Sequence, residues 1–261
     1  MTPTAPGATV DLNADMGESF GAWQMGDDDN LLAIVSSANV ACGFHAGDPV
    51  VMTRTVKAAA ARGVRIGAHP AFPDLQGFGR RRMHVDHAEL EAQLIYQLGA
   101  LAGIAAAEGI RVGHVKPHGA LNNMACEDPE LAQAVARAVK RFDPALPLMA
   151  PTLSPLADAG ERAGLPVIHE AFADRTYTPD GRLTPRAQPG AVIHDAVSAR
   201  DHVLRMIDAQ SLFPADGPPL PCRIDSICVH GDGPEALAIA RTVRDGLTAQ
   251  GFSVSPGRTD R

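Results

Sequence analysis

Short apolar runs in this 261-residue chain end again and again on ionisable or amide side chains beside glycine. Val10 to Asn13 runs into Asp15 and Glu18, and Asn39 to Cys42 into His45. Val64 to Ala68 meets His69, and His114-Val115 meets Lys116 and His118. Further on, Pro166 to Phe172 carries Glu170 and leads to Asp174 and Arg175, and Ile224 to Val229 leads to His230 and Asp232. A strand fixes such groups, while glycines let the backbone bend and a substrate approach. Carboxylates and imidazoles together are the material of general acid–base chemistry. A lone histidine at a strand end is usually a hydrogen-bonded structural residue, so the weight rests on five of the ten histidines sharing this position.

Lys116, leaving an apolar run in Lys116-Pro117-His118-Gly119, is the sharpest local feature. Partial desolvation there would suit it to neutralise an anion or hold an unusual pKa; the plain alternative is a lysine that reaches solvent or pairs with a carboxylate. Asp15, His45 and His69 raise a metal reading, since one carboxylate and two imidazoles suit a divalent ion. No H-x-x-x-H or H-E-x-x-H spacing supports it, and the sequence leaves a tightly bound metal open. Arg80-Arg81-Arg82 reads as a solvated basic face ahead of an anion clamp. There is no G-x-x-x-x-G-K-[ST] loop, Gly231-Asp-Gly233 lacks the rest of a dinucleotide fingerprint, and no G-x-S-x-G elbow occurs.

Strands followed by helices must position these groups. Asp48-Pro49 reads as an N-cap and first helical residue, opening a helix to about Arg62 that Gly63 stops. Asp86 with Glu89 resembles a capping box, and Leu90, Leu94, Leu98 and Leu101 keep one face apolar to about Glu108. Asp128-Pro129 and Ser154-Pro155 start two more helices, and Pro234 starts the final one. Asn30 to Ser36 reads as a short helix, and Ala196 to Ala209 as a longer one. Seven strand candidates, the last at Ile224 to Val229, predict an α/β fold: a distorted (β/α) barrel of about seven parallel strands, with a doubly wound open sheet as the alternative. Right-handed crossovers put every strand's C-terminal end at one mouth. One catalytic domain spans 1–261, with residues 1–8 as a disordered leader. Residues 174–195 lack periodicity and read as a long active-site loop.

Composition narrows the partners. A 45% hydrophobic content with 4% aromatic residues predicts an aliphatic core. A net charge of −7 argues against nucleic acid. The start of the chain has no signal-peptide pattern and no window reads as long enough to span a membrane, so a cytoplasmic location without membrane partners is expected. Cys42, Cys126, Cys222 and Cys228 include no C-x-x-C pair and read as reduced thiols.

Six ordered segments, LNADMGESFGAW, SANVACGFHAGD, GAHPAFPDLQGFGRR, VKPHGALNN, EAFADRTY and PRAQPGAVI, resemble the LamB/YcsF family, the A component of bacterial ATP-dependent 5-oxoprolinase. The resemblance runs from about Val10 to Val254. It implies a barrel akin to glycoside hydrolases and deacetylases, and ATP-dependent opening of the 5-oxo-L-proline lactam to L-glutamate. ATP with Mg is the implied cofactor, and subunits B and C are the implied partners. On this reading Asp15, His45, His69, Lys116 and His118 are catalytic, and Asn13, Glu170, Asp174, Arg175 and His230 bind substrate. A metal-dependent amide or sugar deacetylase, and a non-catalytic chain that only binds 5-oxoproline, are the alternatives.

Overall fold

The computed structural model describes residues 8–230 and 235–257. Residues 1–7 of the expected leader, Asp232, and the expected helix start at Pro234 lie outside them. In chain order the elements are β1 (Thr9–Met16), α1 (Asp28–Leu32), β2 (Ser37–Ala41), α2 (Pro49–Ala61), β3 (Arg65–His69) and α3 (His87–Ala107). Then come β4 (Val112–Val115), α4 (Gly119–Ala125), α5 (Pro129–Phe142), β5 (Leu148–Pro151), α6 (Pro155–Ala163) and β6 (Val167–Phe172). The chain ends with α7 (Ala196–Ala209), β7 (Ser211–Leu212), β8 (Leu220–Pro221), β9 (Ser226–Cys228), α8 (Ala236–Ala249) and β10 (Ser253–Val254).

Seven parallel strands close a barrel in the order β1-β2-β3-β4-β5-β6-β9, with β9 pairing back onto β1 through Asp11↔Ser226 to Asn13↔Cys228. The open-sheet alternative is therefore excluded. Strand β10 adds to the outer start of β1 (Thr9↔Ser253, Val10↔Val254), and β7 with β8 forms a small antiparallel pair. Neither feature was expected from the sequence, because a two-residue strand has no periodicity to read.

Sequence alternation sets the layers. Successive strand residues face opposite sides. In β1 this puts Leu12, Ala14 and Met16 in the aliphatic layer under the helices, where all three are fully buried, and Asp11, Asn13 and Asp15 on the inside. The helices start where their caps dictate. Asp48 accepts from the amides of Val50 and Val51 (2.8 and 3.0 Å), Asp86 caps α3, Asp128 caps α5 and Ser154 caps α6. The expected helix at Asn30 to Ser36 instead begins at Asp28, since Asp27 accepts from the Asn30 amide, and it ends at Leu32. At 21 residues α3 is long and apolar enough to cross a membrane, which corrects the reading that no window is. Its Leu90, Leu94, Leu98 and Leu101 are instead buried in the core.

Candidate active site

A hydrogen-bonded ladder fills the barrel. At its base Asp11 accepts from the hydroxyls of Ser36, Ser37 and Ser226 at 2.7, 2.7 and 2.6 Å. One layer up, Asn13 Nδ2 donates to Ser226 Oγ and Glu170 Oε1, and Asn13 Oδ1 accepts from Asn39 Nδ2 and Lys116 Nζ. His114 Nε2 donates to Asn39 Oδ1 at 2.6 Å. The ring fits only because position 67 is glycine: a Cβ there would lie 2.0 Å from His114 Nε2. Burial pushes the His114 imidazole down to about 3, so it stays neutral.

The ladder ends on Lys116. Its ammonium lies 2.8 Å from Glu170 Oε1, 3.0 Å from Asp15 Oδ1, 3.1 Å from Asn13 Oδ1 and 3.2 Å from Cys228 Sγ. Burial works against this charge, yet Asp15 and Glu170 outweigh it and hold Lys116 well above the usual lysine range. Burial likewise opposes ionisation of Asp15, but His69 and Lys116 bring its carboxyl well below the usual range. Two carboxylates thus face one ammonium, and Glu170 Oε2, although buried, has no hydrogen-bond partner among the described residues.

Three imidazoles gather beside this cluster. His69 Nδ1 donates to the Lys116 carbonyl (2.6 Å) and His118 Nε2 to the Phe78 carbonyl (2.9 Å). Their other nitrogens face each other at 2.9 Å. His69 Nε2 is also 3.3 Å from Asp15 Oδ2, and Glu18 Oε1 lies 3.3 Å from His45 Nε2 and 3.5 Å from His118 Nδ1. The His45 ring stacks flat on His118, with centroids 3.8 Å apart and planes 7° from parallel. Burial pushes His45 well below the usual histidine range and His118 to about 3. The Phe78 carbonyl is presented by a loop wound around buried Asp74, which accepts from Gly77 N and from Arg81. Phe78 has φ 54°, a left-handed conformation that costs a non-glycine residue about 1–3 kcal/mol.

Past the end of β9, His230 Nδ1 lies 2.7 and 2.8 Å from the two oxygens of Asp174. Burial opposes ionisation of Asp174, but His230 prevails and its carboxyl sits below the usual range. Such a pair fixes the imidazole with Nδ1 protonated and leaves Nε2 basic. Residues 174–195 fold over the mouth. Arg175 donates to the carbonyls of Ala191 and Thr184, bracing the loop on itself, and buried Tyr177 accepts from Phe172 N at 2.8 Å. The result is a cavity of about 840 Å³ walled by barrel and loop.

Seven of the ten expected site residues, Asp15, His69, Lys116, His118, Glu170, Arg175 and His230, line this cavity. Asn13, His45 and Asp174 stand one layer behind, each bonded to a residue near the wall. Glu18, which the sequence reading passed over as a ligand, belongs with His45, His69 and His118: one ligating atom from each lies within 4.8 Å of the others. Beside Asp15, His45 and His69, for which the sequence left a metal open, Glu18 and His118 thus stand as further candidate ligands. The sequence held one hint, a carboxylate two residues past the end of β1 behind Gly17. Of the arginine run, Arg81 pairs with Asp74 and Arg82 with Glu127, while Arg80 and Arg82 border the cavity.

A closed parallel barrel with ionisable groups at its C-terminal mouth has the form of an enzyme. The chain belongs to the LamB/YcsF family, whose sequence profile matches residues 10–260. It is 60% identical over 245 residues to a protein of Azoarcus sp. (strain BH72) named as the A component of 5-oxoprolinase, covering 94% of this chain and 96% of that one. The crystal structure of a lactam utilization protein from Thermus thermophilus superimposes with a TM-score of 0.91 at 46% identity, covering 95% of this chain and all of the other. The catalytic domain of a peptidoglycan N-acetylglucosamine deacetylase from Eubacterium rectale shares the fold at a TM-score of 0.53 and 11% identity, covering 100% of this chain and 94% of that one.

Proposed function

We propose that this chain is the lactam-opening component of a 5-oxoprolinase, converting 5-oxo-L-proline, water and ATP to L-glutamate, ADP and phosphate with partner subunits B and C. The carrying observation is a cavity lined by both His230, paired with Asp174, and the Lys116 cluster, in a chain 60% identical to a protein named as a 5-oxoprolinase component. An unactivated five-membered lactam resists water, and ATP with Mg²⁺ would supply the activation. The γ-phosphoryl group passes to the amide oxygen with loss of ADP, and leaves as phosphate when a second water hydrolyses the acyl phosphate formed on ring opening. Arg82, Arg182 and Arg186 on the cavity wall are cationic groups suited to the phosphates of ATP. His230, oriented by Asp174, takes the proton of the attacking water. Lys116 offsets negative charge as the carbonyl oxygen gains it, at a site where water is excluded. The orphan Glu170 Oε2 accepts the lactam N–H, and the imidazolium formed at His230 returns its proton to the departing nitrogen, with His69 held beside Asp15. His118, His45 and Asn13 hold these groups in place, and Arg175 braces the loop.

Glutamate release from 5-oxoproline tests this with the purified chain alone, with candidate B and C subunits, and with each omitted. Release is expected only from the complete mixture with ATP. Undiminished release when this chain is left out would overturn the proposal.

A further inference from the structure

The two facing histidines pose a problem of lone pairs. His69 Nδ1 and His118 Nε2 each point at a backbone carbonyl, which only accepts, so each must carry its ring's hydrogen. In the neutral rings, His69 Nε2 and His118 Nδ1 are then both bare, and they face each other at 2.9 Å. Glu18 Oε1, 3.5 Å from His118 Nδ1, and Asp15 Oδ2, 3.3 Å from His69 Nε2, direct two more lone-pair donors at the same region. One proton shared along the nitrogen–nitrogen line would relieve that contact but leave Asp15 Oδ2 and Glu18 Oε1, the latter also 3.3 Å from His45 Nε2, aimed at the same spot.

We propose that Glu18 Oε1, His69 Nε2 and His118 Nδ1 bind a divalent transition-metal ion, zinc by ligand type, at the edge of the cavity. Tetrahedral zinc with ligands at about 2.0–2.2 Å sets ligand atoms roughly 3.3–3.5 Å apart. Two of the three ligand–ligand separations, 2.9 and 3.5 Å, bracket that spacing, and all three atoms lie within 4.8 Å of one another. A ligating imidazole whose second N–H is held by a carbonyl is the usual outer-shell arrangement, and here two rings have it. The local charge agrees, since Asp15 and Glu170 carry two negative charges against the single ammonium of Lys116.

His45 is not a ligand, although its nitrogen is close. A metal lies near the plane of each imidazole that binds it, and the His45 and His118 planes are 7° from parallel with centroids 3.8 Å apart. Near-parallel planes at that spacing share no point near both rings. Instead His45 Nε2 faces Glu18 Oε1 at 3.3 Å and its ring seats His118, so it is a positioning residue. His69 and His118, by contrast, cross at 85°, as two ligands of one ion can.

The test needs no turnover and does not depend on the 5-oxoproline reading. Chelator-treated full-length chain is titrated with Co²⁺ and followed by its visible ligand-field bands, and with Zn²⁺ by calorimetry and metal analysis. One equivalent is expected to bind. His69→Gln and His118→Gln should each weaken binding at least about 10-fold, while His45→Gln keeps the stoichiometry. Zn²⁺ should raise the thermal midpoint of the wild type and not of His118→Gln, and crystals grown with Zn²⁺ should show an anomalous peak between the three ligands. Absence of stoichiometric binding by the wild type would overturn the inference and leave the shared proton. Binding undiminished in a folded His118→Gln protein, or a peak elsewhere, would overturn it too. Loss of glutamate release with metal binding intact would instead count against the 5-oxoproline reading.

Discussion

Lys116 Nζ lies 2.8 Å from Glu170 Oε1, and the two residues come from neighbouring regions of the barrel separated by β5. Both charges are largely shielded from solvent, since Lys116 is 4% exposed and Glu170 is 1% exposed. Each therefore depends on the other and on Asp15. Lys116→Met should cost about 3–5 kcal/mol in urea unfolding, because Asp15 and Glu170 would face each other without a counter-charge. Adding Glu170→Gln should recover part of that loss, so the double variant is expected to be more stable than the sum of the single effects. Strict additivity would show that the two charges are not coupled.

Asp174→Asn should leave the fold near wild-type stability and slow glutamate release by about 10²-fold or more. The amide can present its N–H to His230 Nδ1, which turns the imidazole into the tautomer with no basic Nε2. Steady-state rates of the reconstituted enzyme beside a thermal melt separate the two effects. Unchanged turnover would remove His230 from the role of base.

Glu91 ties α3 to α5, with Arg137 Nε at 2.8 Å and Arg141 Nη1 at 3.0 Å. Burial alone would raise its carboxyl, but the two guanidinium groups win and lower it. A carboxyl lowered on folding stabilises the fold fully above the unfolded value near 4.5, and that contribution is lost as pH falls through the folded value. Glu91→Gln should therefore cost about 1 kcal/mol at pH 7, kept small by the exposure of both arginines. The gap between variant and wild type should close below about pH 4 in pH-dependent urea melts.

Gly79→Ala should disturb the histidine cluster. Gly79 has φ +64°, and a Cβ there would lie 2.8 Å from His118 Cδ2 and 2.9 Å from His45 Cβ. A loss of about 1–3 kcal/mol is expected from the backbone alone. His45 and His118 ring signals should shift in NMR spectra while the Lys116 environment changes little. Unmoved histidine signals would show that the loop yields instead.

Tyr177→Phe would leave the buried Phe172 N–H without its phenolic acceptor, at a cost of about 1–3 kcal/mol. Hydrogen exchange at that amide and across residues 174–195 should quicken. Exchange as slow as in the wild type would show that Tyr177 does not anchor the loop.

Much of the architecture was legible because helix starts are written in single residues. Asp48, Asp86, Asp128 and Ser154 each cap the helix that their position predicts. Strand ends were equally readable, since an apolar run meeting His69 or Lys116 has one interpretation. What escaped depended on long-range closure. The short α4 begins at Gly119, which has φ 56° and leaves no room for a side chain, since a Cβ there would lie 2.6 Å from the carbonyl oxygen of Gly79, 40 residues upstream. The part played by Glu18 depends on the turn at Gly17 bringing it against histidines 27 and 100 residues away. The ring orientation of His118 is set by a carbonyl 40 residues upstream. Spacing along the chain carries none of this.

The closing strand β9 contributes only Ser226 to Cys228, yet it pairs with β1 on one side and β6 on the other. It emerges late in synthesis, after every cavity-wall residue up to Arg186 has already been made. Until it docks, Asn13 and Asp11 lack the Ser226 hydroxyl and Lys116 lacks the Cys228 thiol, so the ladder stays open to water at one seam. Fragments ending before residue 226 would hold every cavity-wall residue except the base His230, in a hydrated, unassembled form. Supplying the missing C-terminal piece in trans is thus expected to switch the site on as a unit, which makes this barrel suited to split-protein complementation.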